Sequence, residues 1–163
     1  MNLQTRIPIS NGTSIPCVGF GTWKTPNEEA EKSVAEALRV GYRHIDTATA
    51  YGNEAGVGKA IAESGIARKD IFLTSKLWNP HQGYQSTLDA FARSLEMLRT
   101  DYLDLYLLHW RGGIPLEETV ECMEQLVKEG KIRSWGVSNF DTDDMKEFHK
   151  KVAEINADTK NYN

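Results

Sequence analysis

Polar residues of complementary chemistry follow the ends of successive apolar segments in this chain. Asp46 closes the segment 44–46, and Tyr51 lies in the loop that follows it. Lys76 and His109 close the next two apolar segments. A lone lysine or histidine at such a position is usually a solvated or packed side chain. Four such residues form a joint pattern, because the carboxyl ends of parallel barrel strands meet on one face.

These four side chains are suited to protonating an oxygen that becomes an alkoxide. A free phenol has a pKa of about 10, and a nearby ammonium favours the ionised phenol and lowers that pKa. A carboxylate holds the ammonium in place, and a neutral imidazole can polarise a carbonyl oxygen. Hydride delivery to a carbonyl creates such an alkoxide, and the donor would be a reduced nicotinamide. The side chains therefore predict carbonyl reduction, with Tyr51 as the acid.

Composition indicates one globular domain covering residues 1–163. The chain has 163 residues, a formal charge of −4 and 40% apolar residues, which is ordinary for a soluble domain. The acidic balance argues against a nucleic-acid surface, and no apolar run reaches the ~18 residues that span a bilayer. Cys17 and Cys122 form no metal-ligand pattern. We read them as reduced thiols and expect a cytoplasmic protein.

The chain alternates between short apolar segments and amphipathic segments, which predicts strands alternating with helices. The predicted strands are 17–22, 44–46, 71–76, 102–109 and 134–137. The first predicted helix begins at a capping box at 25–28, with Pro26 at the first helical position. The second covers 54–63 and is stopped by Gly65, and the third covers 84–98. The last two begin near Pro115 and at the N-cap Asp141. Strand starts recur about every thirty residues, so we expect parallel pairing. A hairpin is predicted ahead of them, around residues 10–13.

Two architectures fit this alternation, an open doubly wound sheet and a (β/α)8 barrel. An open sheet usually carries a glycine-rich phosphate loop after its first strand, and GFGTW at 19–23 lacks that pattern. Residues 52–60 look like a P-loop but have the wrong spacing, and Ala60 stands where a hydroxyl is required. A complete barrel needs about 250 residues. Because the polar stretch 156–163 shows no sixth strand, we expect an incomplete barrel.

Five segments of the chain resemble the aldo-keto reductase family in order, spacing and flanking residues. They are GFGTW at 19–23, GYRHIDTATAYGNE at 41–54, IFLTSKLWN at 71–79, YLDLYLLHW at 102–110 and EGKIRSWGVSNF at 129–140. The resemblance implies an α/β protein of the (β/α)8 TIM-barrel family, of which this chain covers an N-terminal hairpin and about five βα units. It also implies NADPH-dependent reduction of aldehydes and ketones, less often with NADH.

The resemblance also implies a role for each site residue. The catalytic residues are Asp46, Tyr51, Lys76 and His109. The cofactor-binding residues are Gly21, Thr22, Trp23, Asp46, Ser138 and Asn139, of which the last two resemble the pair that binds the nicotinamide carboxamide. The substrate-binding residues are Trp23, Tyr51, Trp78, His109 and Trp110. The implied partner is a small carbonyl compound, and no metal is implied.

This chain departs from the family pattern at one loop, and two alternative functions stay open. Arg111 followed by Gly112 and Gly113 replaces the usual proline, which predicts a short, flexible loop. The sixth-strand glutamine, the adenosine-phosphate site and the C-terminal specificity loop of the family are not among these residues. One alternative is therefore a non-catalytic or assembly-dependent half-barrel that self-associates through its open edges. The other is a metal-dependent hydrolase with ligands drawn from His44, Asp46, Lys76 and His109.

Overall fold

A computed structural model describes residues 2–9 and 12–160 of the chain, and the side chains as far as residue 157. A short antiparallel hairpin precedes a parallel sheet in which every strand is followed by a helix. The strands are β1 (Arg6–Pro8), β2 (Ser14–Pro16), β3 (Phe20–Gly21), β4 (His44–Asp46), β5 (Phe72–Leu77), β6 (Leu103–Leu108) and β7 (Ile132–Val137). The helices are α1 (Asn27–Arg39), α2 (Glu54–Glu63), α3 (Tyr84–Leu98), α4 (Leu116–Lys128) and α5 (Thr142–Lys160).

The five parallel strands pair in chain order, from β3 to β7. This confirms five strand–helix units with parallel pairing. The register aligns Asp46 of β4 with Thr74 of β5, so Lys76 lies two residues further towards the carboxyl end of the sheet. In the next pair Lys76 lies opposite Leu107 of β6. The topology therefore brings the residues that follow β4, β5 and β6 to one end of the sheet.

The helices and the sheet share one apolar core, to which α5 contributes partly buried side chains. In α1 the buried residues are Ala30, Val34, Ala37 and Leu38, which is the spacing of one helical face. The predicted helices 54–63 and 84–98 are confirmed to the residue. Asp141 is confirmed as the cap of α5, because its Oδ1 accepts hydrogen bonds from the backbone N–H groups of Asp143 and Asp144.

Two local predictions near the N-terminus were wrong in detail. The predicted capping box at 25–28 does not form, because Pro26 is the N-cap and no side chain caps α1. The side chain of Asn27 instead accepts a hydrogen bond from the backbone N–H of Gly56 in α2. The first strand is only β3, since the N–H of Cys17 donates to Thr5 and extends the hairpin. In the predicted hairpin turn, Ser10 and Asn11 lie outside the described residues.

Gly56 and Gly58, which belong to the P-loop-like stretch 52–60, allow α2 to pack closely against its neighbouring helices. A Cβ on Gly58 would lie 2.6 Å from the Cα of Leu98 at the end of α3, and a Cβ on Gly56 would overlap the backbone oxygen of Asn27. Both neighbours are backbone atoms, which cannot rotate away as a side chain can. Helix α2 therefore approaches α1 and α3 at a distance that only glycine permits.

We expect Gly58→Ala to lower the free energy of unfolding by about 1–3 kcal/mol, because the added methyl group forces α2 away from α3. Gly113→Ala is the matched control, since a Cβ there meets no atom within 4 Å, and its effect should stay within about 0.5 kcal/mol. Urea unfolding followed by circular dichroism measures both. Equal stability of the two variants would contradict the packing explanation.

Candidate active site

The ammonium group of Lys76 is surrounded by three acceptors at the carboxyl end of the sheet. Its Nζ donates hydrogen bonds to Asp46 Oδ1 at 2.6 Å, to the carbonyl oxygen of Thr47 at 2.9 Å and to Tyr51 Oη at 3.2 Å. The Lys76 side chain is only 7% exposed. A lysine ammonium has three donors and no acceptor, so this buried charge is fully paired.

The hydroxyl group of Tyr51 accepts from Lys76 and keeps its own hydrogen available. Because Lys76 can only donate, the phenol oxygen must be the acceptor in the contact at 3.2 Å. No hydrogen bond donated by Tyr51 occurs within the described part of the chain. The ammonium also lies 4.9 Å from the centre of the Tyr51 ring. A negative charge that develops on this oxygen would therefore lie beside a fixed positive charge.

The imidazole of His109 lies between Tyr51 and Trp78. Its ring centre is 5.6 Å from that of Tyr51 and 5.4 Å from that of Trp78, with edge-to-face geometry in both pairs. Burial lowers the pKa of His109, the charge of Lys76 lowers it further, and the carboxylate of Asp46 opposes both effects. The ring is therefore neutral at neutral pH. Its Nδ1 is buried and has no partner among the described residues.

An aromatic cleft of about 520 Å³ opens above these groups. It is lined by Trp23, Ala50, Tyr51, Trp78, His109, Trp110 and Asn139. All three of these tryptophans are exposed, although large apolar side chains are normally buried. The structure thus gathers the predicted substrate-binding residues around one opening, with the Tyr51 hydroxyl and the His109 ring in its lining.

The side chain of Asn139 is held in a position where it could pair with an amide group of a ligand. Its backbone is left-handed, with φ +57°, and its Nδ2 donates to the carbonyl oxygen of His109 and to Ser138 Oγ. Its Oδ1 accepts no hydrogen bond that the described residues provide. A Cβ on Gly21 would meet no atom within 4 Å, so the space beside the end of β3 is open. These residues fit a flat carboxamide group such as that of nicotinamide.

Thr22 differs from the other predicted cofactor residues, because it is fully buried. Its hydroxyl donates towards Thr47 Oγ1 at 3.0 Å and Asn53 Oδ1 at 3.3 Å. The side chain therefore fastens the loop that carries Trp23 and does not reach the aromatic cleft. Its place in the sequence, directly after the glycine that ends β3, gives no sign of this burial.

Two supporting residues, Asn53 and Thr47, were not predicted from the sequence. Asn53 is fully buried, and its Nδ2 donates to the carbonyl oxygens of Thr22 and Thr25 at 2.9 Å each. Its Oδ1 accepts from the hydroxyl of Thr47 at 2.8 Å, whose carbonyl oxygen binds Lys76. Asn53 thus joins the loop after β3 to the loop after β4. Its position before α2 is that of an ordinary N-cap, so no local signal marks this role.

The loop predicted to be flexible is fastened at several points. We call residues 109–114 the rim loop. Arg111 forms a two-point ion pair with Glu147 of α5, with Nε–Oε2 2.9 Å and Nη2–Oε1 2.7 Å. The same guanidinium donates to the carbonyl oxygens of Gly112 and Ile114. The two glycines give no sign of these contacts, because the partner Glu147 lies on a distant helix, and the flexibility of the loop stays a prediction.

The alternative of a metal site finds no support in the side chains of residues 2–9 and 12–157. No group of three or more histidine, cysteine, aspartate or glutamate side chains there is placed to hold a metal ion. His44 is hydrogen-bonded to Thr74 at 3.1 Å, and its ring packs against Phe72 with centres 5.1 Å apart. It is therefore engaged in packing beside β5.

Parallel strands that pair in chain order, each followed by a helix, with polar side chains at the strands' carboxyl ends, define an α/β protein and match the strand order of a barrel rather than that of a doubly wound sheet. Residues 17–163 match the sequence pattern of the aldo/keto reductase family. The chain therefore belongs to the aldo-keto reductase family, whose fold is a (β/α)8 barrel.

Individual relatives agree with this assignment. The chain is 49% identical to the glyoxal reductase of Bacillus subtilis over 150 residues, which cover 91% of this chain and 54% of that protein. The crystal structure of an aldo/keto reductase from Brucella melitensis is 53% identical, with a TM-score of 0.88 over 91% of this chain and 59% of that one. An aldo-keto reductase from Klebsiella pneumoniae, solved in complex with NADPH, is 46% identical, with a TM-score of 0.75 over 85% of this chain and 51% of that one.

The chain spans about half the length of the curated relatives that it matches. Within the described residues, no helix is both long enough and apolar enough to cross a membrane.

We expect the pKa of His109, followed by NMR titration of its ring protons, to lie below the value of about 6.5 of a free imidazole. Replacing Lys76 by methionine should raise it, because a neighbouring positive charge is removed while Asp46 keeps its negative charge. Lys146→Met is the control, since that lysine pairs with Asp143 on the surface of α5. A pKa that does not change in Lys76→Met would contradict the electrostatic coupling.

Proposed function

We propose that the protein carrying this chain reduces aldehydes and ketones to alcohols, with a proton from Tyr51 and a hydride from NADPH or, less often, NADH. The observation that carries this proposal is the hydrogen bond from the buried Lys76 ammonium to the Tyr51 hydroxyl at the base of the aromatic cleft. Membership of the aldo-keto reductase family and the similarity to a glyoxal reductase support it.

Tyr51 donates the proton in this proposal. Its hydrogen is free because Lys76 uses the phenol oxygen as an acceptor. When the proton moves to the substrate oxygen, the charge left on the phenol faces the ammonium and is stabilised there. Asp46 holds the ammonium through the contact at 2.6 Å. The positive charge therefore lies beside the Tyr51 hydroxyl before the substrate binds.

His109 supplies a second donor to the same substrate oxygen. Its Nδ1 is buried and has no partner among the described residues, and an unpartnered buried N–H is costly. The hydrogen of the neutral ring is therefore better placed on Nε2, the nitrogen that can reach a ligand in the cleft. Two donors, from Tyr51 and His109, then polarise the carbonyl group and stabilise the alkoxide that forms.

A nicotinamide cofactor, when bound, supplies the hydride. Ser138 and Asn139 would hold its carboxamide, because the Oδ1 of Asn139, which accepts no hydrogen bond from the described residues, can accept from an amide N–H. Trp23 lines the same cleft as Asn139, and the family resemblance assigns Gly21 and Asp46 to the same cofactor. Their proposed role is supported by the Klebsiella pneumoniae relative solved with NADPH and by a Bombyx mori relative, 33% identical, solved with NADP.

The substrate proposed for the cleft is a small carbonyl compound. Trp23, Trp78 and Trp110 present apolar surface to it, and they would displace water from around the reacting carbon. Water exclusion strengthens the hydrogen bonds from Tyr51 and His109, because the local dielectric falls.

We expect Tyr51→Phe in the full natural protein to lower kcat by about 10²–10⁴-fold, the usual contribution of a positioned acid. Tyr42→Phe is the matched control, because Tyr42 packs edge-to-face on Phe20, with ring centres 5.9 Å apart. The measurement is the loss of reduced-nicotinamide absorbance with a reactive aldehyde, with thermal unfolding of each variant beside it. Robust turnover by Tyr51→Phe would remove Tyr51 from the mechanism.

The alternative of an assembly-dependent half-barrel remains a prediction for the 163-residue chain. Its support is that β3 and β7 are the outer strands of the described sheet, and an unpaired strand edge can pair with another chain. We expect the chain to elute as a dimer or larger species, measured by size-exclusion chromatography with light scattering. A compact monomer would count against self-association.

A further inference from the structure

We propose that Arg111 is a positioning residue that clamps the rim loop to helix α5 and thereby fixes the Trp110 wall of the aromatic cleft. This proposal rests on the proposed function, because it assigns Trp110 a part in selecting carbonyl substrates by size. The clamp itself is a feature of the fold and can be measured without any turnover.

The guanidinium of Arg111 joins the rim loop to a helix that lies 36 residues further along the chain. It meets both carboxylate oxygens of Glu147 at 2.7 and 2.9 Å, which is the planar two-point geometry that arginine forms best. Its remaining nitrogen, Nη1, donates to Ile114 O at 2.9 Å and to Gly112 O at 3.2 Å. One side chain therefore holds the backbone at the first glycine and directly after the second, and attaches it to α5.

The rim loop has little stiffness of its own. Gly112 has φ +65°, and a Cβ on Gly113 would meet no atom within 4 Å. Glycines have the largest conformational freedom to lose, so an ordered loop needs contacts that offset this entropy. The contacts that Arg111 makes are placed to do this.

Two other side chains hold the part of the loop that precedes Arg111. Gln82, which is buried, donates from Nε2 to the carbonyl oxygen of Trp110 at 3.0 Å. Asn139 donates to the carbonyl oxygen of His109 at 2.9 Å. The backbone of His109 and Trp110 is therefore fixed from two sides, and Arg111 fixes the backbone immediately after them.

The ion pair differs from the other two-point pair, Arg39–Glu36, in what it connects. The Arg39–Glu36 pair also has two-point geometry, but both residues lie in α1, three positions apart. The Arg111–Glu147 pair instead links the loop after β6 with α5, the helix after β7. In the sequence, Asn139 lies between these two segments. The Arg111 side chain is 21% exposed, against 70% for Arg39, so water screens this pair less.

The clamp controls the cleft wall and leaves the acid group untouched. Neither Arg111 nor Glu147 contacts Asp46, Tyr51 or Lys76 in the described structure. Loosening it should therefore weaken binding of a carbonyl compound large enough to reach Trp110. It should leave the rate of the chemical step, and the binding of a small aldehyde, largely unchanged.

The test compares Glu147→Gln and Arg111→Met in the full natural protein. Glu36→Gln, which breaks the two-point pair within α1, is the matched control. Hydrogen–deuterium exchange of rim-loop peptides, measured by mass spectrometry, should be several-fold faster in both clamp variants and unchanged in the control. Acrylamide quenching of Trp110 fluorescence, isolated by comparison with Trp110→Phe, should increase. Unchanged exchange of the rim loop in the clamp variants would overturn the proposal.

Kinetics supply the second readout. KM for naphthaldehyde should rise about five- to tenfold in Glu147→Gln, a size expected for a partly buried charged pair. KM for propionaldehyde and both kcat values should stay within about twofold. A parallel fall in kcat for both aldehydes, or no change in KM for naphthaldehyde despite faster exchange, would overturn the assignment of Trp110 as the positioned wall.

Two further variants separate the ways in which the test could fail. Arg111→Lys keeps the charge but cannot form the two-point contact, so it should be intermediate in exchange and in KM, and it stands in for Arg111→Met if that variant does not fold. Arg111→Met combined with Glu147→Gln should be no worse than Arg111→Met alone, since both act through one contact. If the unsubstituted protein shows no turnover, the proposed function fails, while exchange and quenching still decide the clamp.

Discussion

The buried ammonium group of Lys76, which has three hydrogen-bond donors, determines how the carboxyl end of the parallel sheet is arranged. Lys76 is 7% exposed and needs three acceptors, which it finds in Asp46, Thr47 and Tyr51. A buried charge without partners costs several kcal/mol, so β4, its following loop and β5 must keep their relative positions. The parallel register of β4 and β5 places Lys76 beyond the last residue of β4, where the turn at 49–51 can bring Tyr51 to it.

The surrounding fold keeps those acceptors in place through backbone contacts. Asn53 ties the loop after β3 to Thr47, and Gly58 lets α2 pack directly against the end of α3. Helix α2 begins directly after the loop that carries Tyr51, so its packing against neighbouring helices restricts where that loop can lie. On the other side of the cleft, the ion pair between Arg111 and Glu147 holds the rim loop in place.

Much of the framework could be predicted from local patterns. Helices α2 and α3 were predicted to the residue, because an apolar stripe and a glycine beyond the end of α2 are strong local signals. The capping box before α1 failed because Pro26 is the N-cap, so that Thr25 and Glu28 do not occupy the two positions that a capping box pairs. The contacts of the rim loop could not be predicted locally, since Glu147 lies far away in sequence. Local patterns therefore predict helices well, but not helix ends or contacts with distant groups.

The sequence by itself determined the class of fold, the strand-end positions of Asp46, Lys76 and His109, and the family, because these depend on residue types and spacing along the chain. Tertiary structure alone decided contacts that the sequence did not indicate: the Thr47 carbonyl oxygen at Lys76, the burial of Thr22, the hydrogen bonds of Asn53 and the pairing of Arg111 with Glu147. The physical reason is that a polar side chain's partner is chosen by distance and burial, which depend on how strands and helices pack. No spacing within one element contains that information.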